Sequence, residues 1–516
     1  VTGQAGSQAP VARTIALAAL LIALGNIASR ILGLARESAI AFFFARSTAA
    51  DAFTLAWTVP STIYDLLIAG AISAALVPVL SEFAEGDQAE FWRLVRSIFS
   101  IILLALALLL LLVAWQTPLL ANLLVQPGQA ELHTLTIDLI RLLLPALFFM
   151  GCAGLIMAVL YARRQFLMPA FNGAVFNLGI VAGLLLFHQQ LGVASLAAGA
   201  LIGGIAQVLV QLPGLRGMAC RGRPNLAHPA VRRILWLYAP VALGIGFSII
   251  GTTIDRWLAS GLPAAPATMR FATTLIQFPL GLIAAAVSMA VLPTLSRQHV
   301  LADEDAFRST LAMGLKVVLL LVIPATFGIA ALALPLTTLV YERGAFDAAD
   351  AAITATALLC YLPGLPAAAI DQVLLFAFYA RKNTLTPNLV QGAAILMYLL
   401  TALPLLFFSE LGFLALVIGN SAQWIGHAII LTWLMRRQVR LTGLRIGETL
   451  LKSLLASLLM SALVLAIQQP LAGSSALFQL IIAGGSGLIC YLLLTAALRV
   501  EALDFFLAAL RRKFNW

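Results

Sequence analysis

Stretches of about twenty apolar residues recur from one end of this 516-residue chain to the other. That is the length a helix needs to cross roughly 30 Å of hydrocarbon. Only 10% of the residues are charged and 62% are hydrophobic, whereas soluble domains carry about 25% charged residues. A water-soluble fold is excluded. Within a bilayer the backbone must satisfy its own hydrogen bonds, which leaves helices or a closed barrel. The period-two alternation of barrel strands is absent, so the chain reads as an all-α polytopic membrane protein.

Apolar windows set between polar breaks predict fourteen spans. They fall near 14–35, 52–80, 93–115, 134–160, 169–188, 193–213, 232–256, 271–295, 309–333, 349–379, 385–408, 411–435, 447–467 and 475–497. The opening VTGQAGSQAPVAR is a short polar tail, and the apolar run after it is long enough to be an uncleaved first helix rather than a signal peptide. Basic residues alternate between connections. Arg93 and Arg96, Arg163 and Arg164, Arg216 to Arg233, Arg297 and Arg308, Arg381 and Lys382, Arg436 to Arg445, and Arg511 to Lys513 all fall on one side. The opposite connections at 116–132, 188–192, 409–410 and 468–474 hold none. The positive-inside rule then places both termini in the cytoplasm. It also accounts for the net charge of +10 without nucleic acid as a partner.

The chain repeats itself. ISAALVPVLSEFAEGDQAEFWRLV at 72–95 is similar to VSMAVLPTLSRQHVLADEDAFRSTL at 287–311, and YARRQFLMP at 161–169 to YARKNTLTP at 379–387. The offsets, 215 and 218 residues, agree closely enough to mark one duplication. Six spans per copy is an even number, so both copies insert the same way up, as parallel repeats do in transporters. The expected organisation is a six-helix lobe over 1–220, a second over 221–440, and two further helices with a basic tail over 441–516. Such lobes enclose a central cavity and suit alternating access.

Metal and redox chemistry find little footing. The cysteines (Cys152, Cys220, Cys360, Cys490) form no CxxC pair, and the five histidines are far apart and in no HExxH arrangement. No cofactor is expected.

One segment breaks the apolar text. In GNIASRILGLARES, residues 25–38, Asn26, Arg30, Gly33 and Glu37 fall on one helical stripe, with Ser29 and Arg36 on the next. A charge at the bilayer centre costs about 2.5–3.5 kcal/mol on insertion scales. Two readings are open: guanidiniums facing a wet cavity, or snorkelling at the outer interface with an Arg30–Glu37 pair. In a cavity, the planar fork of arginine favours phosphate or carboxylate. Beyond this segment, Arg46 and Asp51 flank the turn into span 2, Asp255 and Arg256 end span 7, and Arg270 begins span 8.

SRILGLARE (29–37), ADAFTLAW (50–57), GAISAALVP (70–78), IDRWLAS (254–260), FPLGLIAAAVSMAVLPTLSR (278–297), YERGAFDAAD (341–350) and AFYARKNTLTP (377–387) together resemble the MurJ (MviN) family. That family comprises lipid II flippases of the multidrug/oligosaccharidyl-lipid/polysaccharide exporter superfamily. The resemblance runs from about residue 12 to at least 440. It implies a bacterial inner-membrane protein that moves undecaprenyl-diphosphate-linked peptidoglycan precursor to the outer leaflet, among membrane lipids and cell-wall synthesis proteins. It further implies that Ser29, Arg30, Arg36 and Glu37 bind the diphosphate, with Glu37 in place of the usual aspartate. The candidate substrate-binding set is completed by Asp51, Arg256, Arg270 and Thr274.

The chain also departs from the family pattern. Where relatives carry N-Y-A-[DN]-R-L at the start of span 8, this chain reads Arg270-Phe271-Ala272-Thr273-Thr274-Leu275. Thr274 replaces an arginine, and Arg270, one turn earlier, is expected to supply that charge. Basic residues usual in span 2 give way to Pro60-Ser61-Thr62-Ile63-Tyr64-Asp65, and an acid usual before Gly70 is Ala69. Asp255 matches a cation-site acid of some relatives, but span 11 lacks its acidic partner. The competing readings are export of another polyprenyl-linked glycan, or a membrane glycosyl- or acyltransferase. Glu342, Arg343, Asp347 and Asp350 read as a solvated loop rather than as catalytic groups, so no enzyme is expected.

Overall fold

The computed structural model describes residues 5–69, 75–216 and 229–503, which are helical almost throughout and contain no strand. The segment 70–74, which begins GAISAALVP and includes the first three residues of the repeat motif, Cys220, the expected boundary at 220/221, and the basic residues Arg221, Arg223, Arg511, Arg512 and Lys513 lie outside these described residues. The chain divides into two compact units, Val1–Ala267 and Thr268–Trp516.

The first unit opens with α1 (Ala5–Phe44), α2 (Thr48–Tyr64), α3 (Val77–Ala84) and α4 (Gln88–Trp115). It continues with α5 (Thr117–Leu124), α6 (Ala130–Ala162), α7 (Leu167–Ala170), α8 (Asn172–Leu191), α9 (Ala194–Gln211) and α10 (Pro229–Ser260). Its tightest contact joins α8 to α9. A Cβ added at Gly179 or Gly183 would run into the backbone of Gly203 or Gly199, so the two helices touch main chain to main chain. Small residues permit such close approach where lipid offers no hydrophobic driving force.

The second unit holds α11 (Ala265–Pro279, whose first turn belongs to the first unit), α12 (Ala285–Val300), α13 (Glu304–Ala331), α14 (Ala333–Tyr341) and α15 (Ala348–Tyr361). After these come α16 (Leu365–Ala380), α17 (Leu385–Phe408), α18 (Leu414–Gln438), α19 (Ile446–Gln468), α20 (Ala476–Gln479) and α21 (Gly485–Ala497). Of these, α19 and α21 pack against α13 through Met460, Val464 and Tyr491, and α20 packs against α14. The Tyr491 hydroxyl donates to the Leu320 carbonyl at 2.6 Å, and buried Lys316 donates to Glu501 at 2.7 Å.

Among the described residues, eleven helical runs are long and apolar enough to cross a membrane. They coincide with predicted spans 3–6 and 8–14, while the regions of spans 1, 2 and 7 are occupied by α1, α2 and α10. Two features differ from expectation. The connections at 116–132 and 334–348 are not plain loops, since each contains a short helix, α5 or α14. Spans 2, 8, 10 and 14 are also not continuous α-helix, and in spans 2 and 8 the interruptions are π-helical at matching positions.

Those interruptions carry the duplication. The α-helix widens to π-helix at Asp65–Ala69 and again at Leu280–Ala284, 215 residues later. The YAR segments also end alike. In the first copy the Arg164 amide bonds the Tyr161 carbonyl and the Gln165 amide the Leu160 carbonyl; Lys382 to Tyr379 and Asn383 to Phe378 repeat this. Arg164 and Lys382 share a φ of 58°. Both are Schellman caps, closed without the glycine such a position favours. Beside each cap a guanidinium lies 5.2 Å from an aromatic ring, Arg163 over Trp92 and Arg381 over Phe307.

Candidate functional site

The first span reaches its neighbours through two small residues. A Cβ on Gly25 would collide with the Ala170 carbonyl, and one on Gly173 would sit 2.5 Å from the Ser29 hydroxyl. With α7 and α8 held this close, a cavity of about 430 Å³ opens among α1, α2, α6, α8 and α9 of the first unit. Asn26, Ser29 and Arg36 of α1 line it, together with Trp57, Ser61 and Tyr64 of α2. Asp65, Tyr161, Asn172 and Asn177 complete its polar wall, and Met150, Met157 and Phe176 supply apolar surface.

Arg36 is the cationic group of that wall. Its Nε and Nη2 both donate to Glu37 Oε1, at 3.0 and 2.6 Å, while Nη1 donates to Asn177 Oδ1 at 2.9 Å. Glu37 is 1% exposed, whereas the Arg36 side chain keeps 21% of its surface. Three of a guanidinium's five N–H groups are thereby engaged, which leaves one on each terminal nitrogen. Charged N–H donors of this kind bind phosphate or carboxylate strongly. The Asn177 amide nitrogen donates to the Ser29 carbonyl at 3.0 Å, so the same side chain that turns Arg36 also ties α8 to α1.

The polar stripe on α1 is rotated from the expected one. The residues that meet the cavity or Asn177 are Asn26, Ser29, Gly33 and Arg36, a spacing of three, four and three that keeps to one helical face. Arg30 is half-buried on the adjoining stripe and does not line this cavity. Glu37 does not line it either, and acts as the buried counter-charge that orients Arg36.

Asp51 has a different place from the one expected. It is 5% exposed, and its Oδ1 accepts the Ala267 amide at 2.8 Å. Ala267 lies in the first turn of α11, where amides have no intrahelical acceptor and a carboxylate is favoured by the helix dipole. Asp51 therefore caps a helix instead of lining the cavity. Asp255 and Arg256 sit half-buried on α10. Among the described residues, no group of three His, Cys, Asp or Glu side chains forms a metal site there or elsewhere. In the second unit, the Thr274 hydroxyl donates to the Arg270 carbonyl at 2.9 Å, so its proton is engaged within its own helix.

Sequence reasoning missed the amides. Asn172, Asn177, Gln207 and Gln211 stand in otherwise apolar helices, and three of them form a buried network. Gln207 Nε2 donates to the Asn172 carbonyl at 3.0 Å, and Gln211 Nε2 to Asn172 Oδ1 at 2.9 Å. The available signal was their rarity: uncharged amides inside membrane spans rarely face lipid.

The family profile described as "Lipid II flippase MurJ" matches residues 40–483 of this chain, beginning just after the Ser29–Glu37 cluster. A lipid II flippase MurJ of Burkholderia cenocepacia is 32% identical over 376 residues, covering 70% of this chain and 72% of that one. A probable lipid II flippase MurJ of Vibrio cholerae is 28% identical, covering 80% and 81%. The fold is similar to that of a solved lipid II flippase MurJ in an inward closed conformation, with a TM-score of 0.79, 24% identity, and coverage of 94% of this chain and 100% of the other. It is also similar to an inward-facing MATE family multidrug transporter of the MOP superfamily, with a TM-score of 0.66 and 13% identity over 82% and 95% of the chains.

Proposed function

This chain belongs to the lipid II flippase MurJ family, and on that premise we propose that it carries lipid II from the inner to the outer leaflet of the bacterial cytoplasmic membrane. The observation that supports this most directly is the paired free donors of Arg36 on the cavity wall, held in place by Glu37 and Asn177. The doubly anionic bridge of a polyprenyl diphosphate is the part of the lipid that such a fork recognises. Sugar hydroxyls suit the amide and phenol groups of Asn26, Asn172, Tyr64 and Tyr161, and the prenyl tail has no polar group to satisfy and stays in lipid.

Both termini lie in the cytoplasm in this reading, and two six-helix lobes, 1–220 and 221–440, exchange access between the two faces of the membrane. Substrate drives that exchange only through a difference in affinity between the two states. Arg30 and Arg270 supply further positive charge to the head group during the cycle, Arg270 in the place of the arginine absent at Thr274.

The experiment is to express the chain in cells depleted of their own lipid II flippase. Growth with the native chain and its loss with a well-inserted Arg36→Lys variant is the expected result, because lysine keeps the charge and loses the fork. Failure of the native chain to sustain growth overturns the lipid II assignment, and survival of cells with Arg36→Lys overturns the role of the fork.

A further inference from the structure

Both ring nitrogens of His427 face oxygen atoms. Nδ1 lies 2.6 Å from Asp371 Oδ1 of α16, and Nε2 lies 3.4 Å from the Pro387 carbonyl at the start of α17. The ring is 6% exposed, on α18. A carbonyl can only accept, and so can an ionised carboxylate. A neutral imidazole beside an ionised Asp371 has a single N–H, so one nitrogen would turn a lone pair toward a lone pair. Two protons on the pair remove that conflict. They sit either as an imidazolium between both oxygens or as a protonated Asp371 donating to Nδ1 while Nε2–H donates to Pro387. The count is the same in each case.

The duplicated position sharpens the point. Gly192 and Gly412 carry matching positive φ values of 53° and 55°, and each is followed fifteen residues later by the tethering side chain, Gln207 or His427. Gln207 makes the same kind of link, donating to the Asn172 carbonyl at the start of α8. Asp371 corresponds to Ala153 by the 218-residue offset. The first unit thus ties these helices with an amide, and the second ties them with a histidine–carboxylate pair.

Other charges around the pair are largely committed. Alongside His427, α18 carries Arg436 and Arg437, the latter 3.7 Å over Trp433. Around α16 and α18 pack α12, α13, α15 and α17. Of these, α12 bears Arg297 and His299, α15 bears Asp350, Cys360 and Tyr361, and α17 bears Tyr398, while Tyr379 of α16 itself feels the charge of Asp371. On α13, Lys316 pairs with Glu501, Arg308 with Asp305, and Glu304 with Arg381 of the α16 terminus.

We propose that His427 and Asp371 form a proton-binding site, and that the second proton is what fastens α18 to the start of α17. Releasing it unties that link, so proton occupancy biases the packing of the second unit. Its consequence for transport rests on the flippase reading; the site itself does not.

The test is performed without lipid substrate, so its failure and that of the transport assignment are separable. The whole chain, labelled with 15N-histidine and reconstituted in phosphatidylcholine nanodiscs, is examined by NMR, with signals assigned by removing the other four histidines one at a time. A protonated Nε2 on His427 at neutral pH is expected. A bare Nε2 with a proton on Nδ1 overturns the proposal. Raising the pH is then expected to remove the Nε2 proton and, after correction for intrinsic rates, to speed amide exchange across residues 383–390. Unchanged exchange as that proton leaves overturns the tether. Asp371→Asn keeps an acceptor but removes the counter-charge, and is expected to demand about tenfold more acid for the same Nε2 occupancy. No change in that demand overturns the pairing. His427→Gln is expected to make exchange over 383–390 independent of pH, and exchange that stays pH-dependent in this variant overturns the assignment to His427.

Discussion

The side chain of Asn177 joins the Arg36 guanidinium to the Ser29 carbonyl, accepting from the first at 2.9 Å and donating to the second at 3.0 Å. One amide therefore positions a charge and staples two helices. Asn177→Ala is expected to destabilise the protein by about 1 kcal/mol for the lost hydrogen bonding, read as a lower melting temperature in detergent. It should weaken lipid II binding by more than that stability loss implies, because the guanidinium is then held from one side only. Asn177→Asp keeps an acceptor for Arg36 but loses the donor to the Ser29 carbonyl, so it should also melt below the native protein, and it should bind the diphosphate worse than Asn177→Ala, since its carboxylate competes for the same cation. Equal binding by the two variants would remove the positioning role.

Arg36 and Glu37 call for a paired experiment. Glu37 is buried and paired with Arg36, so Arg36→Ala takes a counter-charge away from a buried acid. Breaking such a pair from one side costs about 3–5 kcal/mol. A low yield of Arg36→Ala would then report folding rather than transport. The double variant Arg36→Ala/Glu37→Gln should recover most of the yield and still fail to support growth in flippase-depleted cells. If the double variant transports, the fork is not the substrate contact.

Much of this was legible in the residues, for physical reasons that differ from place to place. Lysines and arginines mark the ends of spans because crossing hydrocarbon is costly for them, and Tyr-Ala-Arg recurs because it closes the same helix in both copies, α6 and α16. The π-helical segments at 65–69 and 280–284 left no such mark, since a single extra residue per turn is indifferent to side-chain type. The contact of Glu37 with Arg36 was obscured by a rule for helices, in which side chains three or four apart meet. Arg36 is adjacent, but its length lets it fold across the helix surface once Asn177 holds its far end. The capping role of Asp51 was hidden because its partner is a backbone amide more than two hundred residues away, and no spacing in the chain announces that.

Gly25 and Gly173 set how closely α1 approaches its neighbours, and they should respond unequally to a methyl group. At Gly25 the obstruction is the Ala170 carbonyl, which is main chain and cannot swing aside. Gly25→Ala is expected to lower stability by about 1–3 kcal/mol, the usual range for overpacking. At Gly173 the obstruction is the Ser29 hydroxyl, which can rotate away, so Gly173→Ala should cost less. Thermal melts of the two purified variants compare them directly, and combining Gly173→Ala with Ser29→Ala should restore the native value. A Gly173→Ala variant that melts below Gly25→Ala would show that α8, not α7, limits the approach.

The Asp51 carboxylate bonds the Ala267 amide in the first turn of α11 while almost wholly out of solvent. Two effects are combined there, a hydrogen bond and the attraction of a negative charge to a helix N-terminus. Asp51→Asn keeps an acceptor and loses the charge, at about 0.3–1 kcal/mol, with up to about 2 in partly buried geometry. Asp51→Ala leaves the Ala267 amide without its acceptor and is expected to cost about 1–3 kcal/mol. Both should leave lipid II affinity unchanged once the folded fraction is accounted for, because Asp51 does not line the cavity. Equilibrium binding of a fluorescent lipid II analogue to the folded fraction decides this: a tenfold loss of affinity in Asp51→Asn, with its melting temperature intact, would return Asp51 to the substrate site.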